Sequence, residues 1–226
     1  MDTRHIEVAI ANYRTTDLTT RAVWSLRSAY PTLPITIVDN GATAASVAQL
    51  QALADEAGFL TLIPRDDNLH HGPSLDLVIR QGRAEWILLF DSDCILFRGG
   101  LLEAMLALPD APGAYMIGGG VLVDDMGYTL TPEFPPDTPT HRYIHPKCAL
   151  VRRADYGTLP AFEKHGVPCL ANERAAAERS LNLVDFPVDQ FVYHMGRGTV
   201  ERNGYGLGVK GRLYQLRHYL HALRRG

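Results

Sequence analysis

The sequence has no apolar run approaching the roughly 18 residues that a membrane-spanning helix needs, so no segment reads as a bilayer span. No Gly-x-Gly-x-x-Gly follows its first apolar segment, which excludes a nicotinamide-type dinucleotide fingerprint. Cysteine is scarce: Cys94, Cys148 and Cys169 are odd in number and lack metal-type spacing. A disulfide framework is therefore not expected, and a reduced, cytoplasmic setting is. The amino terminus enters an apolar segment at Ile6, so a signal peptide is not expected. Charge of one sign is missing too. The net charge of -3 gives no global pull toward nucleic acid or an anionic membrane.

What is present is enough apolar sequence, 46% of 226 residues, for one good core. The feature around which the rest is arranged is Trp86-Ile-Leu-Leu-Phe90 running straight into Asp91-Ser92-Asp93. Five apolar residues fit a strand covered on both faces, as in a parallel sheet flanked by helices. Two acids just past its end can share a divalent cation, or divide their work between a metal and a ligand hydroxyl.

The segments before it alternate strand and helix. Residues 6–11 read as a first strand, followed by the polar turn Asn12-Tyr13-Arg14-Thr15 and a helix capped by Thr16 or Asp17, with Val23, Trp24 and Leu26 facing inward until Pro31. A second strand, 35–38, also ends in an acid, Asp39, followed by Asn40. A helix over 43–57, closed by Gly58, leads to a third strand at 59–63. Pro73 then opens a helix whose first turn holds Asp76, an acid that also suits the helix dipole.

Beyond Asp93 the pattern loosens. A helix at 101–108 and strands at 115–117 and 121–123 flank Gly118-Gly119-Gly120, and the proline-rich stretch 124–142 reads as a long functional loop. A strand at 148–151, a helix at 172–179 and short strands at 183–186 and 190–193 lead to His194. The glycine-rich stretch 195–211 has the composition of a flap, and 212–225 that of a basic amphipathic helix able to touch an anionic surface.

In an open parallel sheet the strand ends converge on one crevice, where ligands bind. Asp39 could accept from a pyrimidine imide or a ribose hydroxyl. Asp93 and His194 could hold Mn²⁺ or Mg²⁺ against a diphosphate, with imidazole favouring manganese somewhat.

The motifs Val8-Ala-Ile-Ala-Asn-Tyr13, Ile37-Val-Asp39-Asn-Gly41, Asn68-Leu-His-His71-Gly72, Leu88-Leu-Phe-Asp91-Ser-Asp93 and Val192-Tyr-His194, in that order, resemble the family 2 glycosyltransferases with the GT-A fold. The resemblance implies a mostly parallel, Rossmann-like central sheet flanked by helices, with a small β element on the acceptor side. It implies one domain over 1–200, divided at 98–99 into a nucleotide-sugar half and an acceptor half, followed by the flap and helix of 201–226. Ala11, Asn12, Tyr13, Arg14, Asp39, Asn40, His71, Gly72, Asp76, Asp91 and Ser92 would contact the nucleotide, with Asp39 on the base and Asp91 on the ribose. Asp93 and His194 would hold the metal, and the donor would be a UDP-linked sugar. The acceptor stays open among glycan, lipid-linked, small-molecule and modified nucleic acid classes.

One departure matters: many relatives carry a Glu-Asp pair that supplies the base for an inverting displacement, and this chain has none. Glu173 stands nearest in position, with Asp189 or Glu163 as substitutes. Two competing readings are a haloacid dehalogenase-type phosphatase, in which the first Asp attacks phosphorus, and a catalytically silent nucleotide-sugar binding module.

Overall fold

The computed structural model describes residues 5–125, 127, 129, 139–164 and 166–196. The expected flap and basic helix lie outside the described residues, Met195 and Gly196 apart, as does most of the loop expected over 124–142. Residues through His194 group as one unit.

Strand β1 (Ile6–Asn12) runs parallel to β2 (Ile35–Asn40) on one side and to β4 (Trp86–Phe90) on the other, and β3 (Leu60–Arg65) extends the sheet beyond β2. Helices α1 (Thr16–Ala29), α2 (Ala44–Ala57) and α3 (His71–Gln81) make the crossovers. A short antiparallel pair follows, β5 (Cys94–Leu96) with the last strand of the chain. After α4 (Leu101–Leu106) come the long strands β6 (Ala114–Val123) and β7 (His141–Arg152), then α5 (Arg153–Tyr156), α6 (Leu170–Glu178), β8 (Asn182–Asp185) and β9 (Val192–His194). The seven-stranded sheet has the order β3-β2-β1-β4-β7-β6-β8 and is parallel except where β7 pairs with β4 and β6.

The apolar runs are continuous because both sheet faces are covered. Alternate residues of β4 enter different cores: Leu88 packs with Val8, Ile10, Val23 and Leu26 on one face, and Leu89 with Leu75, Val78 and Ala176 on the other. At the starts of β2 and β3, Arg27 from the last turn of α1 is buried and donates to the carbonyls of Tyr30, Leu33, Ala57, Gly58 and Phe59.

Several local expectations change. Trp24 is 37% exposed rather than inward, because the buried stripe of α1 runs through Leu18, Ala22, Val23 and Leu26. Neither Thr16 nor Asp17 caps α1. Thr15 holds that position, and its hydroxyl turns back to Asn12 Oδ1. Pro73 is the third residue of α3, not the first. The loop expected through Arg142 ends at His141, where β7 begins, and the two strands flanking the triple glycine are one strand, β6.

Within β6 and β7 the pairing slips. Gly118 faces Ala149 while Gly120 faces Ile144, so residues 145–148 of β7 stand opposite Gly119 alone. That excursion carries β7 across the carboxyl end of β4, where Phe90 faces Cys148.

Candidate functional site

The site lies at the carboxyl ends of β1, β2 and β4, and it has two parts. In the first, the register sets Asn12 beside Asp39. Asn12 Nδ2 donates to Asp39 Oδ1 at 2.6 Å, and Ser46 Oγ donates to Asp39 Oδ2 at 2.7 Å. Ser46 belongs to the capping box of α2 with Thr43, so a helix start and a strand end share one hydroxyl. Asn12 Oδ1 accepts from Thr15 and Thr19, and Asn40 bonds to Ser74, to the Asn12 carbonyl and to the Leu69 amide. Asn12, Asp39 and Asn40 are all buried. Beside them, Ala11 is half-buried in β1, and the Tyr13 ring lies under the Arg14 guanidinium, 5.2 Å away.

The second part gathers charge. His71 Nε2, from the first residue of α3, lies 2.8 Å from Asp91 Oδ1. His194 Nε2, delivered by β9 against β5, lies 3.1 Å from Asp93 Oδ1 and 3.6 Å from Asp91 Oδ2. Burial alone would raise the Asp91 carboxyl, but the charge and hydrogen bond of His71, with His145 and His194 beyond, pull it down to about 2. His71 moves the other way: burial opposes its proton, and Asp91 overcomes that and raises it. The hydrogen bond to Asp93 raises His194 as well. Ser92 is buried between the two acids. Gly72 is required by closeness, since a β-carbon there would collide with the carbonyl oxygen of Glu163.

The donor set suits a hard or borderline divalent ion: ligand atoms of Asp93, Cys94 and His194 lie within 4.8 Å of one another. The Cys94 thiol faces the Lys147 carbonyl at 3.4 Å, and burial pushes its pKa up. Asp93 and His194, with Asp91 close by, are groups that could hold a divalent ion.

Two site residues were not expected from the sequence. The excursion 145–148 brings His145 to 6.3 Å from His194, ring to ring, and Lys147 to the rim, where Nζ lies 2.9 Å from Asp189 Oδ1. The Lys147 carbonyl also accepts the Asp91 amide at 2.9 Å. Pro146 is the signal that could have found them, because a proline inside a strand marks a bulge.

Of the expected bases, Asp189 is 81% exposed at this rim. Glu163 is exposed where its backbone meets Gly72. Glu173 is not at the site surface: it is fully buried in α6, its Oε2 accepts the Ile144 amide at 2.7 Å, and Oε1 has no partner. Burial pushes its pKa well up. In this arrangement the Glu173 carboxyl is sealed from solvent and occupied by a main-chain amide rather than presented at the crevice. Asp76 is also turned away, accepting from Arg80 within α3 and from Tyr156 of α5.

Comparison with known proteins bears on the family and the fold. The family model described as Glycosyl transferase family 2 matches residues 7–160. No curated protein sequence matches significantly. Among solved structures, the mannosyltransferase PcManGT from Pyrobaculum calidifontis, in complex with GDP-Man and Mn²⁺, is similar with a TM-score of 0.60 and 16% identity over 81% of this chain and 55% of that one. S. aureus TarS 1-349 in complex with UDP is similar with a TM-score of 0.58 and 13% identity over 83% of this chain and 59% of that one. The chain therefore spans a little over half the length of these proteins, and the likeness shows the GT-A fold.

Proposed function

Since this chain belongs to glycosyl transferase family 2, we propose that it moves a sugar from a nucleoside diphosphate donor, UDP-linked, to an acceptor hydroxyl in one inverting displacement. The observation that carries the proposal is the convergence of Asp91, Asp93, His71 and His194 in the crevice at the strand ends. Family membership displaces the phosphatase alternative.

Asp39 faces the base, with the Ser46 hydroxyl as the contact the base replaces. Asp91, fixed by His71, orients the ribose. Asp93 and His194 hold Mn²⁺ or Mg²⁺, which when bound supplies positive charge against the departing diphosphate. Asp189 takes the proton of the attacking hydroxyl, held at the rim by Lys147. The acceptor is a hydroxyl compound of the glycan, lipid-linked, small-molecule or modified nucleic acid class.

The test is a thermal-shift screen of nucleotide sugars with and without Mn²⁺, followed by donor hydrolysis. A UDP-sugar should stabilise the protein only with the metal and be hydrolysed slowly. Stabilisation without turnover in any acceptor screen would leave a binding module instead.

A further inference from the structure

Glu173 is a conspicuous group with no place in the chemistry above. It sits one turn into α6, fully buried, yet its carboxyl is aimed at the sheet rather than at another side chain. β4 pairs with β7 only as far as Cys148, so among the described residues no strand meets β7 on that side at Ile144. Glu173 Oε2 accepts the Ile144 amide there, at 2.7 Å. Ile144 is the last paired residue before the excursion, and it is tightly seated: a β-carbon at Gly118 would come within 2.8 Å of its Cγ2. On its far side the excursion is fastened by the Lys147 carbonyl, which accepts the Asp91 amide. The excursion is thus tied at one end to α6 and at the other to the aspartate cluster.

We propose that Glu173 is a positioning residue: by holding the Ile144 amide it fixes where residues 145–148 leave the sheet, and so sets His145, Lys147 and the Asp91 main chain in place. This rests on the transferase reading for its kinetic consequence, though not for its geometry. The held group is an N–H, so the acceptor need only be an uncharged oxygen.

The experiment compares Glu173→Gln with Glu173→Ala, reading transfer kinetics, Ile144 amide exchange by NMR and thermal stability. Glu173→Gln keeps the acceptor and should retain kcat within about threefold, with an unchanged pH profile. Glu173→Ala should speed Ile144 exchange about tenfold or more and lower kcat about tenfold. If the alanine variant does not fold, Glu173→Asp, one methylene shorter, replaces it with the same expected direction. A folded Glu173→Gln that loses about 100-fold or more in kcat, with Ile144 still protected, would make Glu173 a base and overturn the proposal. So would a truncated variant with wild-type exchange and kcat. If the wild-type protein turns over no donor, the transferase reading fails, and the exchange comparison still decides whether Glu173 holds the strand.

Discussion

The two parts of the site are built on opposite terms. At the ends of β1 and β2, Asn12, Asp39 and Asn40 are buried, neighbours in register, and bonded to one another and to helix starts. At the end of β4, Asp91 and Asp93 are served by side chains from α3 and β9 and by a main-chain carbonyl of β7, and the outermost ion pair, Lys147 with Asp189, reaches into solvent. The first part is a piece of the core that happens to end at the candidate site. The second is an assembly of long-range contacts whose members share no local pattern. In the first, a lost hydrogen bond should appear as lost stability. In the second, a lost group should appear as lost activity.

The sharpest way to break that contrast is Asp93→Ala, expected to lower metal-dependent donor hydrolysis about 1,000-fold with little change in melting temperature. Full activity in the folded variant would remove Asp93 from the metal set. Next comes Asp189→Asn, expected to lower kcat about 100-fold while leaving donor KM alone. Glu163→Gln, measured beside it, should cost less than threefold or so; the reverse order would move the base to Glu163. On the core side, Asn12→Ala removes the donor to Asp39 and the acceptor for two threonine hydroxyls, and urea titration should find about 2–3 kcal/mol less stability. The smallest effect belongs to Lys147→Ala. Its partner is exposed, so the stability change should stay below about 1 kcal/mol. A large loss would mean that Lys147 is buried in the working molecule.

This contrast also explains what could be read from the sequence. The strands 6–12, 35–40 and 86–90 announce themselves as apolar runs ending in polar groups, and their order carried the fold and the placing of Asp39, Asp91 and Asp93. His194 was legible as a late histidine at a strand end. The acceptor half resisted because its decisive feature is a pairing slip, one residue of β6 against four of β7, which exists only when both strands are present. The burial of Glu173 was hidden for a related reason. An acid in the first turn of an alanine-rich helix reads the same from sequence whether that turn faces water or the interior, and the sheet alone decides. Trp24 shows the same limit on a smaller scale, since a helical stripe identifies a face but not where its edge falls.

Arg27 sits at the other pole of the sheet, where β2 and β3 begin, and it gives the molecule an asymmetry toward acid. Burial lowers its pKa, yet a guanidinium keeps its charge at any pH a protein meets. The five carbonyls it gathers therefore stay gathered as pH falls. At the opposite end of the strands, burial holds the His145 pKa down to about 4 and His71 holds the Asp91 carboxyl down to about 2, so both favour the folded state less as pH falls toward those values. Acidification should thus loosen this protein directionally, from the crevice inward, with the amide of Ile35 on the Phe59 carbonyl among the last to exchange.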